Sequence, residues 1–221
     1  MTRLLGGIPL AEFVVVHPSR LETMHLAHGL EFEIGVGKVA ATLGLYSLLC
    51  NLEPSRKVAA VLCVGIAGAV PAGIRGNPPP VAKGQVCVVG QDVLADEGVA
   101  SPAGFVDLGT GGRRLVDTGP FPAHPRLAAD ASQKLGVPIV RGATVSTCSG
   151  TDESARAVWQ RTRADVETME GAAVAAVCRR REIPLLHLRA ISNWTGDRDE
   201  TQWNVGAALD VLRRALQPLF A

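Results

Sequence analysis

The stretch LHLRAISNWTG, residues 186–196, carries the pattern from which the fold can be predicted. Its first half is short and apolar, as in a strand that is buried on both faces of a sheet. Its second half turns polar, with Arg189, Ser192 and Asn193 ahead of a Trp-Thr-Gly turn. In sheets of parallel strands, ligands bind beyond the carboxyl ends of the strands. A side-chain amide at such an end therefore marks a candidate binding site.

Short β-branched runs alternate with alanine-rich runs along the rest of the chain. EFVVV at 12–16 and VAAVLCV at 58–64 read as buried strands, and KVAATLGLYSLLCNL at 38–52 has the apolar spacing of a helix. This alternation predicts an α/β protein with a mostly parallel sheet and helices on both faces. Two segments rich in Gly and Pro, 71–80 and 97–124, are predicted to be loops, and the last helix is predicted over 203–219.

Composition excludes several classes of function. The 221 residues carry a formal net charge of +1, and 47% are apolar. A nucleic-acid partner would require a basic stripe, so none is expected. No apolar run reaches the length of a membrane span, and the first ten residues lack a secretory pattern, which favours a cytoplasmic protein. The five cysteines lack metal-site spacing and are expected to be small buried residues in a reducing compartment.

The glycine-rich turn GVGKVA at 35–40 fits a loose dinucleotide-binding pattern. That interpretation requires an acidic residue at the end of the next strand, which instead reads Cys63-Val64-Gly65. A phosphate-binding loop would require Ser or Thr where Val39 stands. The turn is therefore interpreted as a tight connection between a strand and a helix, and no cofactor is predicted from it.

A more specific constellation surrounds Glu170. It stands where a short strand runs into the helix GAAVAAVCRRR, and Met169 precedes it. Glu170 alone could be a helix-start charge favoured by the helix dipole. The neighbouring strand end, however, supplies Arg189 and Asn193, and two adjacent polar strand ends favour a site. Cys148 and His187 are interpreted as packed core residues, because no base can be assigned to the first and the second lies on an apolar strand.

Four motifs together resemble the nucleoside phosphorylase/hydrolase superfamily, and the resemblance covers roughly residues 13–212. They are IGVGKVAAT at 34–42, VGIAGAV at 64–70, VETMEGAAVAAVC at 166–178 and PLLHLRAISN at 184–193. The resemblance implies a single-domain three-layer α/β/α sandwich over 1–221, with a central mixed, mostly parallel sheet and a peripheral extension at 1–10. It also implies cleavage of the N-glycosidic bond between a purine and ribose, without a metal or an organic cofactor.

The resemblance also implies roles for individual residues. Met169 would pack against the ribose and Glu170 would bind its hydroxyls, where a carboxylate stabilises an oxocarbenium-like transition state. Glu22 would orient and deprotonate water. Arg189 would hold that carboxylate or the substrate in place.

Asn193 stands where adenine-specific members of the superfamily carry Asp. A 6-oxopurine presents acceptors at N7 and O6, and an amide can donate to either. The amide therefore favours a hypoxanthine or guanine leaving base. This departure, together with SNWTGDRDETQW at 192–203, resembles the futalosine hydrolases, which release hypoxanthine from a 5'-substituted inosine in menaquinone biosynthesis.

Other activities on the same fold stay open from sequence. The turn GIAG at 65–68 lacks the hydroxyl with which the phosphorylases bind phosphate, which favours water as the acceptor. Arg20, Arg75 and Arg141 nevertheless leave a purine nucleoside phosphorylase acting on inosine or guanosine as an alternative. A methylthioadenosine/S-adenosylhomocysteine nucleosidase and a non-catalytic nucleoside-binding protein are the others.

The base pocket and the assembly are the remaining expectations. The family places the base near the strand end at 146–151, so Thr147 and Ser149 are candidates for contacting the base or the 5' tail. Phe105 and Trp194 are candidates for stacking on the purine. The family's sites often lie near a subunit interface, so a homo-oligomer of dimer size or larger is expected.

Overall fold

The computed structural model describes residues 3–26, 30–110, 115–197 and 203–220. Within them lie twelve strands and six α-helices. In chain order the strands are β1 (Leu4–Leu5), β2 (Ile8–Pro9), β3 (Phe13–His17), β4 (Leu30–Glu33), β5 (Ala60–Ala69), β6 (Val86–Leu94), β7 (Gly98–Ser101), β8 (Gly104–Asp107), β9 (Phe121–Pro122), β10 (Ile139–Thr144), β11 (Val166–Thr168) and β12 (Leu185–Trp194). The helices are α1 (Lys38–Leu52), α2 (Ala72–Arg75), α3 (Pro125–Leu135), α4 (Asp152–Thr162), α5 (Gly171–Arg180) and α6 (Val205–Phe220).

The central sheet has the strand order β11-β10-β6-β12-β5-β3-β4. Strand β5 lies parallel to β3 and β12, whereas β12 lies antiparallel to β6. Strand β11 pairs with β10 at one side and with β5 at the other, which bends this part of the sheet back on itself. The mixed sheet confirms the predicted α/β class.

Two apolar layers cover the sheet. On one face, Leu127 of α3 and Leu212 of α6 pack with Leu62 and Leu188 of the sheet. On the other face, Leu45 of α1 and Val174 of α5 belong to a second cluster. These layers give the expected helix–sheet–helix sandwich. Among the described residues, none of the helices combines the length and the apolar character that a membrane span requires.

Four local predictions differ from the structure. Strand β5 does not end at Gly65, because its ladder with β12 continues as far as Ala69. The predicted loop at 97–124 contains the hairpin β7–β8 and the short strand β9, and the predicted loop at 71–80 contains α2. The hairpin escaped detection because its residues are mostly exposed and lack a clear apolar alternation. Helix α6 begins at Val205, two residues later than predicted.

The first described residues form the hairpin β1–β2, which packs against α3. The Gly6 amide donates to Asp130 at 2.7 Å, and Lys134 donates to the Leu4 carbonyl at 2.7 Å. Leu5 and Leu10 are buried in the core. This segment, expected to be a peripheral extension, thus contributes apolar side chains to the core.

Helix α1 approaches the chain ahead of it closely enough to exclude a side chain at Gly44. A Cβ there would overlap the backbone carbonyl oxygen of Ile34. Gly44→Ala normally favours a helix, but here we expect a net destabilisation of about 1–3 kcal/mol because the backbone cannot yield. Chemical denaturation measures this free energy of unfolding.

Gly206 in α6 is the matched control, since nothing lies within 4 Å of its added Cβ. Gly206→Ala should be neutral or stabilise by up to about 1 kcal/mol. Equal effects of the two substitutions would contradict the close approach at Gly44.

Candidate active site

A cavity of about 180 Å³ opens where β5, β11 and β12 end. The parallel strands β5 and β12 place their carboxyl ends together, and β11 runs antiparallel to the last residues of β5, so side chains distant in sequence meet there. The lining comprises Glu22, Val36, Ile66, Ala67, Gly68, Cys148, Glu167, Thr168, Met169, Glu170, Arg189, Ser192, Asn193 and Trp203. The structure therefore brings together five residues expected at the site: Glu22, Met169, Glu170, Arg189 and Asn193.

Arg189 is the charge around which the site is built, and it is 1% exposed. One guanidinium nitrogen, Nη2, lies 3.4 Å from Oε2 of Glu170. Nη1 donates to the Ile66 carbonyl at 3.2 Å, and Nε donates to Nε2 of His187 at 2.7 Å. Burying a guanidinium is costly unless it is paired and hydrogen-bonded, and these contacts meet that need.

His187 supports this guanidinium as a neutral acceptor. Burial lowers the pKa of His187 well below its usual value, and the Arg189 charge lowers it further. Because Nε2 accepts from Arg189, the ring proton resides on Nδ1, which faces Oδ2 of the buried Asp92 at 3.9 Å. Burial raises the pKa of Asp92 to about 7. His187 is thus a buried core residue, as the apolar strand predicted, and its Nε2 is satisfied by Arg189.

Glu22 ends a short 3-10 turn, Arg20–Glu22, and is 7% exposed. Its Oε2 accepts from the Ile66 amide at 3.0 Å and its Oε1 from the Ser19 hydroxyl at 3.2 Å. Burial raises the pKa of Glu22, opposed by the positive charge of Arg189. A carboxylate with a raised pKa at a cavity wall is suited to accept a proton.

Gly65 is required by this arrangement. A Cβ at this position would overlap both Nη1 of Arg189 and Oε2 of Glu22. This glycine of β5 thus lets a carboxylate and a guanidinium approach the same stretch of backbone.

Glu170 occupies the N-cap position of α5, but its side chain makes no capping hydrogen bond to that helix. Its Oε1 instead accepts from the Gly37 amide at 3.0 Å, and its Oε2 faces Arg189. The turn at 35–37 is thereby tied to the site. Glu170 is 4% exposed, and the half-buried Met169 beside it completes this wall.

Asn193 is half-buried, and its amide is held on both sides. Oδ1 accepts from the Ser192 hydroxyl at 2.8 Å, and Nδ2 donates to the Trp194 carbonyl at 2.9 Å. An amide nitrogen carries two hydrogens, so one donor remains for a ligand. Asn193 lines the cavity as the sequence predicted.

Four expected residues lie elsewhere. Thr147 is exposed, and Phe105 lies in the β7–β8 hairpin under the Arg161 guanidinium, which is 4.3 Å from the ring centroid. Neither Thr147 nor Phe105 lines the cavity. Trp194 lines an adjoining cavity of about 180 Å³, which also includes Asn193 and Trp203. Ser149 acts on the wall indirectly, by donating to Glu167.

Three of the lining residues that sequence reasoning did not expect are Glu167, Trp203 and Cys148. Glu167 is two positions before Met169 in the stretch ADVETME, which reads as a strand, so the two-residue period of a strand could have pointed to it. In the structure, β11 ends at Thr168, one residue before Met169. Trp203 is 39% exposed and lies just ahead of α6, a position that no local pattern marks. Cys148 was expected to be buried, but it is exposed, as is Cys50, whereas the other three cysteines are buried.

Three arginines made a phosphorylase an alternative interpretation of the sequence, and none of them lines the cavity. Arg20 is highly exposed and pairs with Glu33 at 3.3 Å, and Arg75 pairs with Asp165 at 2.6 Å. Arg141 is an exposed residue of β10. The Ile66 amide, in the glycine-rich last part of β5, already donates to the Glu22 carboxylate.

Known proteins match this chain in sequence and in fold. The model of the phosphorylase superfamily matches residues 22–221. The futalosine hydrolase of Thermus thermophilus is 36% identical over 192 residues, which are 86% of this chain and 80% of that protein.

Solved structures share the fold at low identity. The native futalosine hydrolase of Helicobacter pylori has a TM-score of 0.74 at 18% identity, over 92% of this chain and 94% of that chain. The 5'-methylthioadenosine/S-adenosylhomocysteine nucleosidase of Helicobacter pylori has a TM-score of 0.76 at 17% identity, over 94% of this chain and 96% of that one. At such identities these two structures show the fold alone. The family model and the Thermus relative together show that the chain belongs to the phosphorylase superfamily and, within it, to the family of the futalosine hydrolases.

Proposed function

We propose that this chain hydrolyses the N-glycosidic bond of futalosine and releases hypoxanthine. The observation that carries the proposal is the Glu22 carboxylate, which accepts a hydrogen bond from the Ile66 amide inside the cavity. Because the amide already donates to the Glu22 carboxylate, it is unavailable to phosphate. The 36% identical relative from Thermus, a futalosine hydrolase, supports the same activity.

The geometry supports a separate role for each of these residues in the reaction. Met169 and Glu170 hold the ribose, and the Glu170 charge stabilises the cationic character that develops as the bond from C1' to the base breaks. Glu22 takes a proton from the attacking water, whose oxygen bonds to C1'. The base leaves with the bonding electron pair as an anion, and the amide of Asn193 donates a hydrogen bond to its N7 or O6. A proton from solvent then converts this anion to neutral hypoxanthine. Arg189 positions both carboxylates.

A second part of the proposal is a homo-oligomer that adjoins the site. Val39, Leu43 and Tyr46 lie on one side of α1 at helical spacing, and they are 75%, 63% and 46% exposed. Val36, at the cavity wall, is also exposed. Apolar side chains arranged as a stripe are typical of a surface that another subunit covers.

The proposal also includes a cellular compartment, a pathway and a domain extent. A futalosine hydrolase of one domain over 1–221 would act in the cytoplasm on the route to menaquinone.

Hypoxanthine release tests the reaction. Futalosine, inosine and methylthioadenosine are each incubated with the protein in buffers with and without phosphate, and the free base is quantified. We expect release from futalosine at a rate that phosphate does not change, and slower release from the other two nucleosides. Release that requires phosphate would assign a phosphorylase, and phosphate-independent release that is fastest from inosine would assign an inosine nucleosidase; either result would contradict the proposal.

Light scattering after size exclusion tests the assembly. We expect a mass of at least twice the 23.1 kDa of one chain, and a monomer for Leu43→Lys, because a charge in an apolar interface must be desolvated. Val106→Lys is the matched control, since Val106 is 57% exposed on the hairpin, away from α1. A monomeric native chain would contradict the proposed interface.

A further inference from the structure

Glu167 is a buried carboxylate in the cavity wall that the proposed reaction does not use. It lies on β11 and is 5% exposed. The Ser149 hydroxyl donates to its Oε1 at 2.6 Å and the Ser149 amide to its Oε2 at 3.1 Å. Burial raises the pKa of Glu167, and the two Ser149 bonds oppose that shift. A carboxylate has about four acceptor positions, so capacity remains beyond these two bonds.

The register of the sheet places Glu167 across a gap from Asn193. Gly68 of β5 is opposite Glu167 on one side and opposite Asn193 on the other. Residues paired in this way project their side chains to the same face of a sheet. Two strand spacings separate the Cα atoms of Glu167 and Asn193 by roughly 10 Å.

Gly68 leaves the floor of this gap open. A Cβ at Gly68 would lie 3.1 Å from Nδ2 of Asn193 and 3.0 Å from Cγ2 of Thr195, which is tighter than ordinary packing. Glu167, Gly68 and Asn193 all line the cavity. The wall therefore presents an acceptor at one side, a donor at the other and no side chain between them.

This pair of groups matches the edge of a 6-oxopurine. Such a base presents acceptors at N7 and O6 and a donor at N1–H, whereas a 6-aminopurine presents an acceptor at N1. An acceptor that faces another acceptor in a buried site forfeits a hydrogen bond and leaves both groups unsatisfied.

We propose that Glu167 accepts a hydrogen bond from N1–H of a 6-oxopurine held opposite Asn193, and that it thereby excludes 6-aminopurines. The inference rests on the proposed function, because it takes the cavity to be a purine nucleoside site. Ser149 is the positioning residue, since both of its donors orient the carboxylate.

Binding of free bases tests the contact without turnover. Calorimetry is performed with hypoxanthine, 1-methylhypoxanthine and adenine, on the native chain, on Glu167→Gln and on Glu167→Ala. The native chain should bind hypoxanthine at least about tenfold more tightly than 1-methylhypoxanthine or adenine. Both variants should bind hypoxanthine more weakly than the native chain, and the ratio of the affinities should fall towards one. Glu167→Gln should bind adenine more tightly than the native chain, because its amide can donate to N1.

A purely structural role for Glu167 predicts a different pattern. The affinities for all three bases would then fall by the same factor, and the preference for hypoxanthine would persist. That result would overturn the inference, as would a native chain that binds hypoxanthine no better than adenine. Glu12→Gln is the matched control, since Glu12 is exposed on the turn Leu10–Glu12, and its affinities should equal the native values.

A kinetic comparison separates the two proposals. The ratio of kcat/KM for futalosine to that for its 6-amino analogue should fall at least about tenfold in Glu167→Gln. If the native chain binds hypoxanthine selectively but does not hydrolyse futalosine, the proposed substrate fails and the contact at N1 stands. If it hydrolyses futalosine and the ratio is unchanged in Glu167→Gln, the substrate stands and the contact fails.

Discussion

The buried guanidinium of Arg189 constrains the whole site. A charge that is removed from water must be matched by partners with good geometry, or the fold loses several kcal/mol. Its partners come from separate parts of the chain: Glu170 begins α5, the Ile66 carbonyl belongs to β5 and His187 precedes it on β12. Satisfying one cation therefore fixes the relative positions of a helix start and two strands. The same cation draws in Glu22, whose turn packs on β5 through the Ile66 amide.

The choice between water and phosphate follows from how that cation is neutralised. Two carboxylates of the chain itself, Glu22 and Glu170, face the guanidinium. A phosphate ion bound at the same place would be repelled by both of them. The described arginines that might have attracted phosphate are engaged with carboxylates or exposed outside the cavity. Glu22 can then act as the base for water rather than as a passive counter-ion. This is the central claim about the mechanism.

Much of the architecture was predictable because the signals were local. The apolar period of residues 38–52 gave α1 with its observed bounds, and the polar strand ends gave Glu170, Arg189 and Asn193. The prediction was wrong where pairing decides structure. Gly65 looked like the end of a strand, but the ladder to β12 carries β5 four residues further. The hairpin at 98–107 has little apolar alternation to reveal it.

The site was less predictable than the fold for the same reason. The position of Glu167 opposite Gly68 depends on a strand pairing that no sequence pattern shows. Trp203 lies just ahead of α6, and Cys148 is exposed in the connection between β10 and α4. Phe105 was plausible as a stacking residue only while its segment lacked a known position.

The measurement that tests the central claim most directly is chemical rescue of Glu22→Ala by formate, followed as hypoxanthine release from futalosine. Removing the general base should lower kcat by about 10²–10⁴, and formate should enter the space beside Arg189 and the Ile66 amide and restore at least about tenfold of that loss. The recovery should saturate with formate and should not occur in the native chain. A Glu22→Ala variant with native activity, or one that no small carboxylate rescues, would contradict the role assigned to Glu22.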